Sequence, residues 1–207
     1  MFFSLCFFTN YFSLDIHIAT EEERSFKLNQ FKLFIHIFFV SLICLTSISY
    51  AEDVNENDLK GILLLKLPLF IDWPLKSFNY DKNSFSIGVF GNDDHIVKTL
   101  RTFEGRDLKG KKIIIQHFNK INDINFCHIL YICPTNLENL NQIIKKNKGM
   151  PVLLVGHQDG FAEKGGVINF YKHQDKFKFE INVDNGNLAD LKISSKLLKL
   201  SRIVNNY

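Results

Sequence analysis

The sequence predicts an α/β fold: a single domain with a central, mostly parallel sheet flanked by helices and a late antiparallel hairpin. Two observations lead to this prediction. Strand-like runs alternate with helix-like runs between residues 58 and 155, as in folds built from βαβ units. Two later strand-like runs, at 167–171 and 176–183, are separated only by a short polar turn, which is typical of a hairpin.

The first elements are indicated by their spacing and their caps. Apolar residues recur at helical spacing over 58–72, with Asn57 or Asp58 as the cap, and Pro68 should kink or divide this helix. Residues 85–90 read as a strand. This strand ends at a Gly-Asn-Asp turn that also caps a short helix over 94–101.

The later elements continue the alternation. Strands are predicted at 112–118, 128–132 and 151–155, and a helix at 137–146. The hairpin follows, with its turn at 173–175, and a final amphipathic helix is capped by Ser194 or Ser195 and runs to Val204.

The hairpin strands carry two rows of large apolar residues. Ile168 and Phe170 share one face, whereas Phe177, Phe179 and Ile181 form another row, because side chains alternate along a strand. We expect one of the rows to pack on the core. An exposed row or edge would suit the addition of a segment from a partner protein.

The first quarter of the chain has a different character. It holds ten of the 21 phenylalanines in the 207 residues. Residues 26–51 have the pattern of a secretory signal peptide: basic Lys27 and Lys32, an apolar run over 33–45, and small residues at Ser49 and Ala51. We expect cleavage after Ala51 and export to the periplasm. The alternative is a retained anchor, although the apolar run is short against the ~20 residues of a membrane span.

Residues 1–25 do not fit this pattern, because they are apolar at first and then acidic. We hypothesise that translation starts downstream, near Leu28. The predicted organisation is therefore an unstructured upstream extension and signal peptide over 1–51, followed by one domain over 52–207.

Composition excludes several classes of protein. Hydrophobic residues make up 46% of the chain, which excludes disordered and low-complexity proteins. The net charge is only +3 and the charges are scattered, so no nucleic-acid partner is expected.

The sequence offers little for catalysis. Cys127 and His128 are adjacent, but neighbours on a strand point to opposite faces and cannot form a nucleophile–base pair. The loop over 156–166 carries His157 and Asp159 without a nucleophile or the context of a phosphate-binding loop. The histidines after residue 51 lack metal-ligand spacing. We therefore expect no enzyme activity, no metal and no cofactor.

Cys127 and Cys133 are the only cysteines after residue 51. Export favours a disulfide. In one extended segment, however, their Cα atoms would lie about 20 Å apart, whereas a disulfide needs less than about 7 Å. A sharp turn at Pro134, pairing between chains and free thiols remain as alternatives, and the spacing favours free thiols.

Five short runs carry a resemblance to a known family. They are KGILLLKLPLFIDWP at 60–74, IGVFG at 87–91, CHILYI at 127–132, a set of motifs over 151–182, and LKISSKLLKL at 191–200. The fourth contains GFA, GGVINF and FEIN in that order. These runs span nearly all of 52–207, and on them the chain resembles the YfiR-like family of secreted bacterial regulators.

The resemblance implies a non-catalytic periplasmic α/β protein that forms homodimers. Such a protein would bind the periplasmic part of a membrane-bound diguanylate cyclase, or of a related sensor, and repress it, so that cyclic di-GMP stays low. The residues expected to contact the partner are Ile168, Phe170, Phe179, Glu180, Asn182 and Leu191. The residues expected to be structural are Trp73, Pro74, Gly91, Gly160, Gly165, Gly166 and Ser194.

Two departures from the family pattern concern cysteines. Gly88 stands where some relatives carry a strand cysteine that could pair with Cys127, and residues 162–169 lack a cysteine pair found in others. Redox control through these bridges is therefore not expected. The alternative function is a periplasmic small-ligand binding protein that uses the loop at 156–166, since open α/β sheets bind ligands beyond their strand ends.

Overall fold

The computed structural model describes residues 56–79, 81–134, 137–174 and 176–206, together with Lys32. The chain divides into two compact units, Met1–Asp53 and Val54–Tyr207. In the first unit the described residue is Lys32, an exposed helical position. The predicted extension, the signal peptide and the cleavage site after Ala51 otherwise lie outside the described residues and stay predictions. The second unit contains the elements below.

Helices and strands alternate through the described part of the second unit. The α-helices are α1 (Glu56–Lys66), α2 (Asp94–Arg101), α3 (Leu137–Asn147), α4 (Val183–Leu188) and α5 (Ser195–Leu198). The strands are β1 (Ile71–Asp72), β2 (Ser84–Phe90), β3 (Asp107–Leu108), β4 (Lys111–Phe118), β5 (Ile129–Ile132), β6 (Leu153–Gly156), β7 (Ile168–His173), β8 (Lys176–Asn182), β9 (Lys192–Ile193) and β10 (Arg202–Val204).

Eight strands form one sheet in the order β10-β8-β7-β6-β5-β2-β4-β3. All neighbours in it are parallel except β7 with β8 and β3 with β4. Strands β1 and β9 form a second, two-stranded antiparallel sheet. The predicted fold class, an α/β domain with a mostly parallel sheet and a late hairpin, is confirmed.

The core lies on both faces of the large sheet. Strand β5 shows this most simply: Ile129 and Tyr131 face one apolar cluster, Leu130 and Ile132 face the other, and all four are buried. Helices α1 and α2 cover the first cluster, whereas α3 covers the second. A parallel strand covered on both faces needs a continuous apolar run, which this stretch has.

The first helix is shorter than predicted. Helix α1 ends at Lys66, and Pro68 lies in a 3-10 turn over Leu67–Leu69, after which the chain becomes strand β1. The prediction of one helix over 58–72 is therefore wrong beyond Lys66. Proline has no backbone N–H to continue an α-helical ladder, so the helix divides at the position where a kink or division was expected.

The two apolar rows of the hairpin form a single face. Strands β7 and β8 pair with Ile168 opposite Ile181 and Phe170 opposite Phe179. Residues directly opposite each other in a sheet share a face, and both rows contribute to the same core cluster. The hairpin also lies one strand inside the sheet, because β10 pairs with β8 beyond it.

The last secondary-structure elements differ from the prediction. Ser194 does cap a helix, since its Oγ accepts a hydrogen bond from the N–H of Lys196. This helix, α5, already ends at Leu198, and residues 202–204 form β10 in parallel with β8. The predicted helix to Val204 is therefore wrong. Ile203 and Val204 are β-branched and favour a strand.

Candidate functional site

A polar cleft of about 420 Å³ lies at the carboxyl ends of β6 and β7. Strand β8 runs antiparallel to β7 and β10 parallel to β8, so both present their amino-terminal ends to the same cleft. Its lining combines acidic, basic and aromatic side chains: Glu56, Lys60, His157, Asp159, Glu163, Asn169, Phe170, Tyr171, Lys172, Phe177, Glu180 and Arg202.

The loop after β6 forms one wall of the cleft and is held down by Phe161. This ring fills the space above two glycines: a Cβ on Gly156 would lie 2.7 Å from it, and a Cβ on Gly166 would lie 2.1 Å from it. Gly160 and Gly165 have φ of +70° and +113°, a region that favours glycine. The glycines thus let the loop fold tightly over the sheet and present His157 and Asp159 to the cleft.

Helix α1 contributes a buried cation to the cleft. The side chain of Lys60 is only 5% exposed, and its Nζ lies 2.9 Å from Oε1 of Glu56, one helical turn earlier. This hydrogen bond is the main cause that lowers the pKa of Glu56. Lys172 of β7 approaches the other carboxylate oxygen of Glu56 at 3.9 Å. The pair links the start of α1 to the hairpin.

Tyr131 and His157 form a stacked and hydrogen-bonded pair. Their rings are nearly parallel, with centroids 5.7 Å apart, and the tyrosine hydroxyl bonds with Nδ1 of the histidine. Burial, followed by the positive charge of Lys60, lowers the pKa of His157 to about 4. Burial also raises the pKa of Tyr131. Both rings are therefore neutral at pH 7. The positive charges beside them in the cleft come from Lys60 and Lys172.

A chain of polar contacts crosses β7, β8 and β10 at the other wall. The amide of Asn169 donates to Oε1 of Glu180 at 3.0 Å, and Nε of Arg202 donates to Oε2 at 3.1 Å. Asn169 also accepts the backbone N–H of Gln158, at 3.0 Å. The side chain of Glu180 is 3% exposed, whereas that of Arg202 is 60% exposed. The buried carboxylate is thus neutralised from the surface by a residue of the last strand.

The cysteine at this end of the sheet is not a reactive group. The cysteine nearest the carboxyl end of β5, Cys133, is buried, and burial raises its pKa to about 12, so it is not a thiolate at neutral pH. Within the described residues, His, Cys, Asp and Glu form no cluster of three or more that could hold a metal. The cleft instead offers paired charges of both signs to a polar ligand.

A second cluster surrounds His128 at the other end of β5. Its ring stacks on Phe78 and Phe85, with centroids 4.7 Å and 4.5 Å away, and Trp73 and Phe126 meet it edge-on. Nδ1 accepts the backbone N–H of Ser86 at 3.0 Å. Burial, followed by the charge of a nearby lysine, lowers the pKa of His128 to about 4. The neutral ring serves as a core aromatic.

Cys127 lies on the opposite side of the sheet from His128. Cys127 packs in the cluster under α3, whereas His128 packs among aromatic residues of the cluster under α1 and α2. Both Cys127 and Cys133 are free and buried, and they belong to different clusters. Burial raises the pKa of Cys127 to about 12 as well.

The six residues expected to contact a partner do not form an exposed patch. Phe179 is half-buried. The other five are buried: Ile168, Phe170, Glu180, Asn182 and Leu191. Glu180 belongs to the polar chain of the cleft. Asn182 caps α4, because its Oδ1 accepts the N–H of Asn185 at 3.0 Å. The apolar members pack in the core, where the register of β7 and β8 places them.

The residues expected to be structural lie in turns or form contacts between elements. Nε1 of Trp73 donates to the carbonyl of His128 at 3.1 Å, which ties the segment after α1 to the start of β5. Pro74 precedes a 3-10 turn over Leu75–Phe78. Gly91 has φ of +100° and ends β2. The remaining members are Gly160, Gly165, Gly166 and Ser194, whose positions are given above.

Sequence reasoning missed Lys60 and Arg202, which line the cleft, and Tyr131, which is buried and bonds with His157. Lys60 was read only as part of a family motif, Tyr131 as part of a strand, and Arg202 as part of a helix. A lysine one helical turn after Glu56 signals an ion pair but not its burial. The two consecutive β-branched residues after Arg202 were the available signal for a strand.

Comparisons with known proteins find one matching family and solved structures of low sequence identity. The profile of the YfiR/HmsC-like family matches residues 57–202. No curated protein matches the chain. In the part that the structure describes, no helix combines the length and hydrophobicity needed to cross a bilayer.

Two solved structures show a partial similarity to the chain. One is the ABC domain in complex with L-Trp from Streptococcus pneumonia: 10% identity, TM-score 0.47, covering 72% of this chain and 60% of that one. The other is a conserved domain protein from Vibrio cholerae: 13% identity, TM-score 0.47, covering 73% of this chain and 60% of that one. The chain thus spans 60% of the length of each.

Proposed function

The chain belongs to the YfiR/HmsC-like family, and from this premise we propose that it is a non-catalytic periplasmic regulator. It binds the periplasmic part of a membrane-bound diguanylate cyclase, or of a related sensor, and holds it inactive, so that cyclic di-GMP stays low. The observation that carries the proposal is the match of the family profile to residues 57–202, which includes nearly all of the folded domain.

The chemistry of the domain supports a role in binding. Its cysteines are buried with raised pKa values, and His128 and His157 stay neutral at pH 7. The charged groups of the cleft are largely engaged with one another in ion pairs. Such groups stabilise a surface and orient a partner, whereas a catalytic centre needs a nucleophile or base free to react.

The proposal also includes export and self-association. The predicted signal peptide over 26–51 would deliver the domain to the periplasm, where a sensor's external domain is accessible. A homodimer is the expected form of the free protein. Sedimentation of the purified domain tests the dimer, and amino-terminal sequencing of the periplasmic fraction tests cleavage after Ala51.

The decisive experiment is deletion of the gene. Loss of a repressor should raise cellular cyclic di-GMP, and a plasmid copy carrying the signal peptide should restore the low level. A copy without residues 26–51 serves as the control, because the domain would then stay inside the cell. An unchanged level of cyclic di-GMP in the deletion strain would contradict the proposal.

The cleft favours a second candidate, a periplasmic small-ligand binding protein. Its volume of about 420 Å³ is that of a small-molecule site, and it lies outside the carboxyl ends of parallel strands, where open α/β sheets bind ligands. The loop at 156–166, expected to serve such a site, does form its wall. A screen of small polar molecules for a raised melting temperature tests this candidate, with Lys60→Met as the matched variant that should lose the shift.

A further inference from the structure

The outer edge of the sheet at β8 is only partly covered. Strand β8 runs over seven residues, Lys176–Asn182, but β10 pairs only with the last three, Glu180 to Asn182. Among the described residues, no strand pairs with the outer side of Lys176 to Phe179. An uncovered strand edge of this kind is a template for another extended segment.

The backbone groups that face this open edge can be assigned. The N–H of Asn182 donates to the carbonyl of Val167 at 2.9 Å, so Asn182 points its polar groups towards β7. Backbone groups alternate in direction along a strand. The N–H and C=O of Phe177 and Phe179 therefore point away from β7, to the uncovered side. The C=O of Phe179 is engaged where β10 begins, because the pairing of Arg202 with Glu180 directs the N–H of Arg202 to it. The N–H of Phe179 and both backbone groups of Phe177 are available to a strand added at the edge.

Along β8 itself, the side chains on the two faces of this edge have opposite character, and Lys172 of β7, which lies opposite Phe177, approaches Glu56. On one face lie Phe177 and Phe179, both half-buried, followed by Ile203 of β10, which is 49% exposed. On the other face Lys178 is opposite Tyr171, and Lys176 is opposite His173. Both lysines are exposed, and neither forms an ion pair with a described residue.

We infer that the Lys176–Phe179 edge binds an extended segment of the partner in which apolar and acidic residues alternate. The apolar residues of that segment would cover Phe177, Phe179 and Ile203, and the acidic residues would meet Lys176 and Lys178 on the opposite face. Main-chain hydrogen bonds to Phe177 and Phe179 would set its register. The inference rests on the proposed function, since the segment belongs to the regulated membrane protein.

Charge argues against a second copy of the chain as the occupant. Two copies joined at this edge would bring Lys176 and Lys178 close to the same cations of the other copy. Like charges opposite each other in a sheet are destabilising. The homodimer expected for the free protein therefore uses another surface.

The test uses a labelled synthetic peptide of about ten residues that alternates Val and Glu, with a Val–Lys peptide of equal length as its counterpart. The Val–Glu peptide should bind the purified domain, raise its fluorescence anisotropy, and slow hydrogen exchange at the amides of Phe177 and Phe179. The Val–Lys peptide should bind at least about tenfold more weakly, because it meets lysines.

Charge reversal on the domain completes the test. Lys176→Glu/Lys178→Glu should weaken the Val–Glu peptide about tenfold or more and favour the Val–Lys peptide instead. Lys192→Glu/Lys196→Glu is the matched control, because both lysines are exposed and lie elsewhere. Equal binding by both double variants, or exchange at Phe177 and Phe179 unchanged by the peptide, would overturn the inference. Protection there that rises with protein concentration alone would assign the edge to a second copy and would also overturn it.

The inference and the proposed function can fail separately. If the deletion strain shows raised cyclic di-GMP but the Lys176→Glu/Lys178→Glu protein restores repression fully, the function stands and the edge is excluded. If deletion leaves cyclic di-GMP unchanged, the function falls, while the peptide experiment still reports on the edge.

Discussion

The thiol of Cys127 lies directly against the position that a side chain on Gly88 would occupy. A Cβ built on Gly88 would lie 2.9 Å from Sγ of Cys127, a separation that a bonded pair of cysteines can adopt. In this chain the thiol instead packs against the bare backbone of β2, between Phe118 and Leu130. Glycine thus occupies a position from which a side chain could reach the Cys127 thiol.

Gly88→Cys should form a disulfide with Cys127. In oxidising buffer the variant should lose the mass of two hydrogen atoms and show one fewer reactive thiol than the unmodified domain. Relative to its own reduced form, the oxidised variant should be stabilised by about 2–4 kcal/mol, because a loop of about 40 residues is closed. The added Cβ meets the ring of Phe118 in both redox forms. The gain should appear as a higher midpoint of urea unfolding that a reductant abolishes.

Gly88→Ala is the control for this disulfide. Its methyl group would lie 2.9 Å from the ring of Phe118, so the variant should be destabilised by about 1–3 kcal/mol in both redox conditions. A Gly88→Cys protein that keeps all its thiols after oxidation would show that the two positions cannot approach as described.

Substitutions of Glu180 and of Arg202 should lower the free energy of unfolding by different amounts. Arg202→Gln leaves a buried carboxylate with the amide of Asn169 but no cation, and should lower the free energy of unfolding by about 2–4 kcal/mol. Glu180→Gln leaves a guanidinium that is 60% exposed to water, so it should cost about 1 kcal/mol or less. Urea unfolding of both variants measures the difference. Equal losses would contradict the burial assigned to Glu180.

Stability should fall as the pH falls from about 6.5 towards 4. The pKa values of His128 and His157 are lowered from 6.5 to about 4 by burial. In this window the unfolded chain binds protons that the folded chain does not, so the free energy of unfolding decreases with decreasing pH. Urea unfolding at several pH values measures the slope.

His128→Asn isolates one of the two histidines. The variant should be less stable at pH 7, because it loses the ring that packs on Phe78 and Phe85. Its amide does not titrate, so the variant should lose less stability between pH 6.5 and 4 than the unmodified domain. A slope identical to that of the unmodified domain would show that His128 takes up its proton near the ordinary pKa of an exposed histidine.

Substitutions at Phe161 and Gly166 should have non-additive effects on the free energy of unfolding. A Cβ on Gly166 would lie 2.1 Å from the ring of Phe161, so Gly166→Ala should displace the ring and cost about 2–4 kcal/mol. Phe161→Ala opens a cavity and should cost about 3–5 kcal/mol alone. The double variant should be more stable than the sum of the two losses implies, because the methyl group then enters vacated space. Additive losses in urea unfolding would contradict this contact.

Local signals in the sequence were sufficient for the central sheet and its helices. The strand over 84–90, the helix over 94–101 with its Asp93 cap, and the paired hairpin strands all follow from short-range patterns. Strand β10 did not follow, because its three residues continue a helix-like pattern and its partners lie 22 residues earlier. Its pairing depends on tertiary contacts that periodicity does not encode.

The candidate site was less accessible to sequence reasoning than the fold. The loop with His157 and Asp159 was predicted as a possible binding loop, because open α/β sheets bind ligands beyond their strand ends. The burial of Lys60 and Glu180 was not predicted, since charged residues are rarely buried. Each is buried beside an opposite charge, one supplied by the same helix and one by a distant strand. Only the first of these pairings can be read from spacing.

The last strand also determines when the domain can finish folding. Arg202 supplies the cation for Glu180, and the amide of Asn206 bonds with Asn182 and Asn185, so the network stays open until residue 206 has left the ribosome or the export channel. A growing chain therefore cannot complete this packing before Asn206 has been synthesised. In the proposed export to the periplasm, this delay would keep the chain unfolded while it crosses the membrane.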